Sequence, residues 1–84
     1  MNDSTMKNRR ILIKNTEDGK TIADTRIIRF NSVRNSVIIR ADSLRIKKYY
    51  KITAFVFAKH CLYEFSGTIR GAVVENEVEV FLGR

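Results

Sequence analysis

The chain has 84 residues, of which 44% are hydrophobic and 30% charged, with a formal charge of +7. That length makes one small domain with a modest core, and the composition belongs to a folded globular chain, not a disordered one. No apolar run reaches the roughly 20 residues that cross a bilayer, and the polar, basic start lacks a secretory signal, so a bacterial-type cytoplasmic location is expected.

Residues 1–8 offer little to bury and read as a flexible lead-in, with a single β-barrel domain expected over 9–84. Ile11, Leu12 and Ile13 make a short strand that ends at Asn15-Thr16-Glu17-Asp18-Gly19, where Asp18-Gly19 is a strong turn dipeptide. Residues 20–30 resume as a strand with two mixed faces. Ile22, Asp24, Arg26, Ile28 and Phe30 share one side, and Ala23, Thr25, Ile27 and Arg29 the other, a conflict that a bulge or a barrel-edge bend near Ile27-Ile28 reconciles. A polar turn over 31–36 precedes Val37-Ile38-Ile39, a short buried strand. Residues 41–45 have room for one capped helical turn at most and read as a crossover loop.

Residues 46–58 form the longest strand candidate, with Tyr50, Ile52, Ala54, Val56 and Ala58 opposite Tyr49, Lys51, Thr53, Phe55 and Phe57. Both sides are apolar at its end, which suits either a strand covered on both faces or one that shows Phe55 or Phe57 to a partner. Lys59-His60 is a hairpin turn. Beyond it Cys61, Tyr63, Phe65, Gly67 and Ile69 alternate with Leu62, Glu64, Ser66, Thr68 and Arg70. A turn within Val74-Glu75-Asn76 leads to Val78, Val80 and Leu82, which alternate with Glu77, Glu79 and Phe81. Six short strands without a long helical pattern predict an all-β fold, a small and mostly antiparallel barrel.

Few residues offer chemistry. His60 is the one histidine, in a turn without an evident nucleophile or orienting carboxylate, and Cys61 is the one cysteine, on the expected inward face, where a thiol behaves as a small hydrophobe. One cysteine and one histidine make neither an internal disulfide nor a tetrahedral zinc site, and the glycines are too scattered for a phosphate loop. Glu75, Glu77 and Glu79 read as a solvated strand face, with a protein contact as the alternative use of its one-sided acidity. No catalytic, metal or cofactor site is expected, and the chain does not read as an enzyme.

The positive charge is concentrated. Residues 1–51 hold 13 Lys/Arg against 5 Asp/Glu, whereas 52–84 hold 3 against 4. Arg26, Arg29, Arg34 and Arg40 flank the second and third strands, and Arg45, Lys47, Lys48 and Lys51 surround Tyr49 and Tyr50. Arginine grips phosphate through two parallel hydrogen bonds and tyrosine stacks on bases, so these residues form a candidate anionic-ligand or partner surface. The same set also serves as the polar outside of an ordinary barrel.

The strand order, the string Tyr63-Glu64-Phe65-Ser66-Gly67-Thr68-Ile69-Arg70-Gly71 and the closing Val78-Glu79-Val80-Phe81-Leu82 resemble PilZ-type barrels of bacterial cyclic di-GMP receptors. The resemblance spans residues 9–82 and is greatest to the amino-terminal accessory barrel of flagellar-brake receptors. It implies a PilZ-like or split barrel. The family's Arg-x-x-x-Arg motif has no match, since Arg26 and Arg29 are three apart and Arg9 is followed at the required offset by Ile13. Asn31-Ser32-Val33-Arg34 and Asn35-Ser36-Val37-Ile38 lack the glycine of the second motif, Asp/Asn-x-Ser-x-x-Gly. The resemblance therefore implies either a degenerate PilZ-like domain or an accessory barrel of a longer receptor, in which a regulatory or interaction module contacts a protein partner or adjoining domain. Cyclic dinucleotide contact is then secondary, and a basic OB-like or Sm-like nucleic-acid-binding barrel is the alternative.

Overall fold

The computed structural model describes residues 3–40, 50–74 and 77–83. A single helical turn, α1 (Asp3–Met6), precedes β1 (Arg10–Asn15), β2 (Thr21–Asn31), β3 (Ser36–Arg40), β4 (Tyr50–Phe57), β5 (Leu62–Val74) and β6 (Glu77–Leu82). The six strands close into an antiparallel barrel in the order β1-β2-β3-β6-β5-β4. Two three-strand meanders thus meet edge to edge, β1 against β4 and β3 against β6. The expected crossover at 41–45, the start of the long strand at 46–49 and the turn residues 75 and 76 lie outside the described residues.

The interior follows the period of two read along the chain. Ile11 and Ile13 of β1, Val37 and Ile39 of β3, Ile52, Ala54 and Val56 of β4, Ile69 of β5, and Val78, Val80 and Leu82 of β6 are all buried. Each large aliphatic in this set contributes on the order of 1.5–3 kcal/mol of burial. On β2 the pairing with β3 jumps from Ile27–Ile39 to Arg29–Ile38, so one residue is gained. Inward orientation passes at that point from Ile27 to Phe30, both buried. The bulge is what lets a strand with two mixed faces fill one core.

The lead-in differs from expectation. Met6 is fully buried in the core, and the Asn8 N–H donates to the Ile27 carbonyl at 2.8 Å, while the Ile27 N–H donates to the Arg9 carbonyl at 2.9 Å. Arg26 Nη1 also donates to the Asn8 carbonyl at 2.7 Å. The bulge leaves backbone groups of Ile27 for this segment to pair, and a positive φ of 65° at Asn8 turns the chain into place. The single apolar residue of the lead-in after Met1 was the unread signal.

The turns carry their own side-chain supports. Asn15 Oδ1 accepts the Glu17 N–H and Asp18 Oδ1 accepts the Lys20 N–H, each at 2.8 Å, and Gly19 takes a φ of 72°. Asn31 Oδ1 accepts from the N–H groups of Val33 and Arg34 at 3.0 and 3.1 Å. Asn35, at a φ of 50°, accepts the Leu82 N–H on its carbonyl and donates from Nδ2 to the Leu82 carbonyl, which ties the β2–β3 turn to the end of β6.

Gly67 is the tightest point of the wall. A Cβ there would overlap the Phe81 carbonyl oxygen, a backbone group that cannot rotate aside. We expect Gly67→Ala to lower the unfolding free energy by about 3 kcal/mol in urea denaturation, because β6 must move off β5. Gly19→Ala is expected to cost only about 1 kcal/mol, since its positive φ is strained but its surroundings are open.

Candidate interaction surface

Because the interior is filled with apolar side chains, recognition falls to the outer wall. On β2, β3 and β6 the outward positions bring Arg29 beside Ile38, Ile38 beside Glu79 and Arg40 beside Glu77. Arg29 Nη2 reaches across β3 to Glu77 Oε1 at 3.0 Å. Arg34 Nη2 meets Glu79 Oε1 at 3.1 Å, and its guanidinium lies 5.5 Å from the centre of the Phe81 ring. The other Glu79 oxygen accepts from Ser36 Oγ at 2.6 Å, and Ser36 is fully buried beneath it. Arg29, Arg34 and Glu79 border an open depression of about 470 Å³ whose lining includes Asn31, Ser32 and Ile38.

Glu77 and Glu79 are therefore not a freely solvated face. Both are part-buried and hold arginines from the other meander. The spacing had shown a carboxylate every second residue, but which cations stand opposite depends on β6 closing against β3.

The proposed basic set is divided by the fold. Arg29, Arg34 and Arg40 share the β2–β3–β6 wall, whereas Arg26 supports the lead-in through Asn8. Lys51 lies on β4, bordering a smaller depression of about 230 Å³ with Thr16, Ser66 and Thr68. Arg45, Lys47, Lys48 and Tyr49 lie outside the described residues.

A second wall was not read as a unit. The outward positions of β1, β4 and β5 set Leu12 beside Phe55, and Arg10 beside Phe57, which in turn faces Leu62. Leu12, Phe55 and Phe57 are half-buried and Leu62 is 55% exposed, so an apolar strip runs across the hairpin. Of the two readings open for Phe55 and Phe57, they belong to the outer face. Arg10 lies 4.7 Å from the Phe57 ring centre and grips Asp24 twice, Nε to Oδ1 at 2.9 Å and Nη2 to Oδ2 at 2.8 Å. Those hydrogen bonds hold the Asp24 carboxyl below its ordinary value, against an opposing desolvation, and raise that of Arg10.

Cys61 corrects an expectation. It is exposed in the β4–β5 turn, where its carbonyl accepts the Ala58 N–H at 2.9 Å. The inward phase was right, since Phe65 packs on the core and Ile69 is buried in it, but the strand begins beyond the end of the barrel. Tyr63, 36% exposed, stacks near Phe65 with 6.3 Å between ring centres, and a hydrogen bond with Cys61 raises its phenol above the ordinary value. His60 is exposed in the same turn.

No family model matches the chain, and no curated protein or solved structure matches it either.

Asp24 has its carboxyl depressed in the folded state, so its contribution to stability is present above the ordinary carboxylate value of about 3.9 and is lost as pH falls through the lower folded value. Denaturant midpoints should fall more steeply below that pH in the wild type than in Asp24→Asn. The difference should be small, because both partners are exposed.

Proposed function

We propose that this barrel is a non-catalytic regulatory or interaction module of the PilZ-like kind, serving bacterial cyclic di-GMP signalling in the cytoplasm through protein contact. The observation that supports it is the pairing of Arg29 with Glu77 and Arg34 with Glu79. A phosphate would have to displace those carboxylates, and the released glutamates would then repel it. A protein partner can instead meet the wall with the ion pairs intact. The resemblance in strand order and in the Gly67-Thr68-Ile69-Arg70-Gly71 string points to the signalling context, and the unmatched arginine motif points away from a complete ligand site.

The basic nucleic-acid reading keeps one supporting observation: Arg40 and Lys51 form no ion pair among the described residues, within a chain of net charge +7. The two readings separate by titration followed through backbone amide shifts. Cyclic di-GMP at physiological salt should give weak or no binding, and tight one-to-one binding would overturn the proposal. A single-stranded oligonucleotide should bind weakly. In the Glu77→Gln/Glu79→Gln double variant, which frees two guanidiniums, its affinity should rise and the log-log salt slope should steepen by about 1.4, or 0.7 per added phosphate contact.

A further inference from the structure

The β4–β5 hairpin overhangs the barrel. Residues 55–57 of β4 pair on both sides, with β1 and with β5, but β5 gains its β6 neighbour only at Gly67, opposite Leu82. The last bond on that side is from the Gly83 N–H to the Ser66 carbonyl at 2.6 Å. Among the described residues no strand pairs with this side of β5 over 62–65.

Which backbone groups face outward follows from two bonds. The Cys61 carbonyl accepts from Ala58, so Cys61, Tyr63 and Phe65 direct their backbone groups towards β4. The Ser66 carbonyl accepts from Gly83, so Leu62, Glu64 and Ser66 direct theirs the other way. The N–H and C=O of Leu62 and Glu64 therefore form a short ladder edge with no strand beside it among the described residues. Beside this edge stands the exposed Leu62 side chain, continuous with Phe57.

We infer that this edge accepts an extended protein segment as an added strand alongside residues 62–65. The inference rests on the proposed role in protein contact and gives it a site and a form of partner. Main-chain bonds to Leu62 and Glu64 supply the pairing, and Leu62 with Phe57 selects an apolar residue at the neighbouring outward position. The net charge of +7 opposes a second copy, while exposed Lys59 in the adjoining turn favours acidic residues in the segment and exposed Glu64 on the edge requires an uncharged residue directly opposite it.

The test is amide hydrogen exchange by NMR on the whole chain, with and without a short end-blocked peptide alternating valine and glutamate. In the free protein the Tyr63 and Phe65 amides should exchange slowly and those of Leu62 and Glu64 fast; the peptide should slow and shift the latter two. Glu64→Pro, which removes an edge N–H that β4 does not use, should weaken peptide binding about tenfold, whereas Glu64→Ala should keep it within about twofold. Slow exchange at Leu62 and Glu64 without peptide, peptide-independent protection that grows with protein concentration, unchanged amides at excess peptide, or equal losses in the two variants would each overturn the inference. Peptide shifts confined to the β2–β3–β6 wall would overturn the edge and support the interaction reading. Tight cyclic di-GMP binding, or strong salt-dependent oligonucleotide binding, would overturn that reading whatever the edge does.

Discussion

Closure of the sheet depends on β6 crossing β5 at a distance that no side chain tolerates, and Gly67 is where that approach occurs. Once the two strands are in register there, Ile69 meets Val80 and β6 can present its other edge to β3. The second requirement is the bulge at Ile27, which turns β2 while keeping an apolar residue inward on either side of it. Both devices act on the same small core.

Closure also decides how the charges are used. The sequence is strongly basic in its first half, and isolated guanidiniums on a strand would make an anion-binding wall. The return of β6 beside β3 places Glu77 and Glu79 within reach of Arg29 and Arg34, with Ser36 and Phe81 fixing one carboxylate and one guanidinium further. A surface that reads as positive along the chain is thereby partly neutralised in space. On the opposite side, the Arg10–Asp24 pair leans over Phe57 and borders an apolar strip that ends at Leu62. The molecule thus offers two outer surfaces of different character, joined through a core that shows no interior site among its described residues.

Much of the strand pattern was legible before folding. The alternation in β5 and β6 marked an inward face, that in β4 separated two faces without deciding which is buried, Asp18-Gly19 marked the first turn, and the conflicting faces of β2 implied a bulge or a bend, because side-chain period and turn chemistry are local properties of a chain. The end of a barrel is not local. Cys61 and Tyr63 have the inward phase of their strand, yet stand beyond the core because β4 and β5 outrun β6. Met6 shows the converse, a residue in a polar segment drawn into the core by backbone groups that a distant bulge leaves to be paired.

The amino-acid sequence by itself determined the class of fold, the inward phase of the last two strands and the excess of positive charge, since each depends on composition or on neighbours two residues apart. Only the tertiary structure decided which arginine meets which glutamate, that Phe55 and Phe57 line the outer face, and that one side of β5 lacks a strand beside it among the described residues. Those features depend on the order of strands around the barrel and on their stagger, which bring together residues as far apart as Arg29 and Glu77. No periodicity along the chain records such a meeting, because it exists only once the sheet has closed.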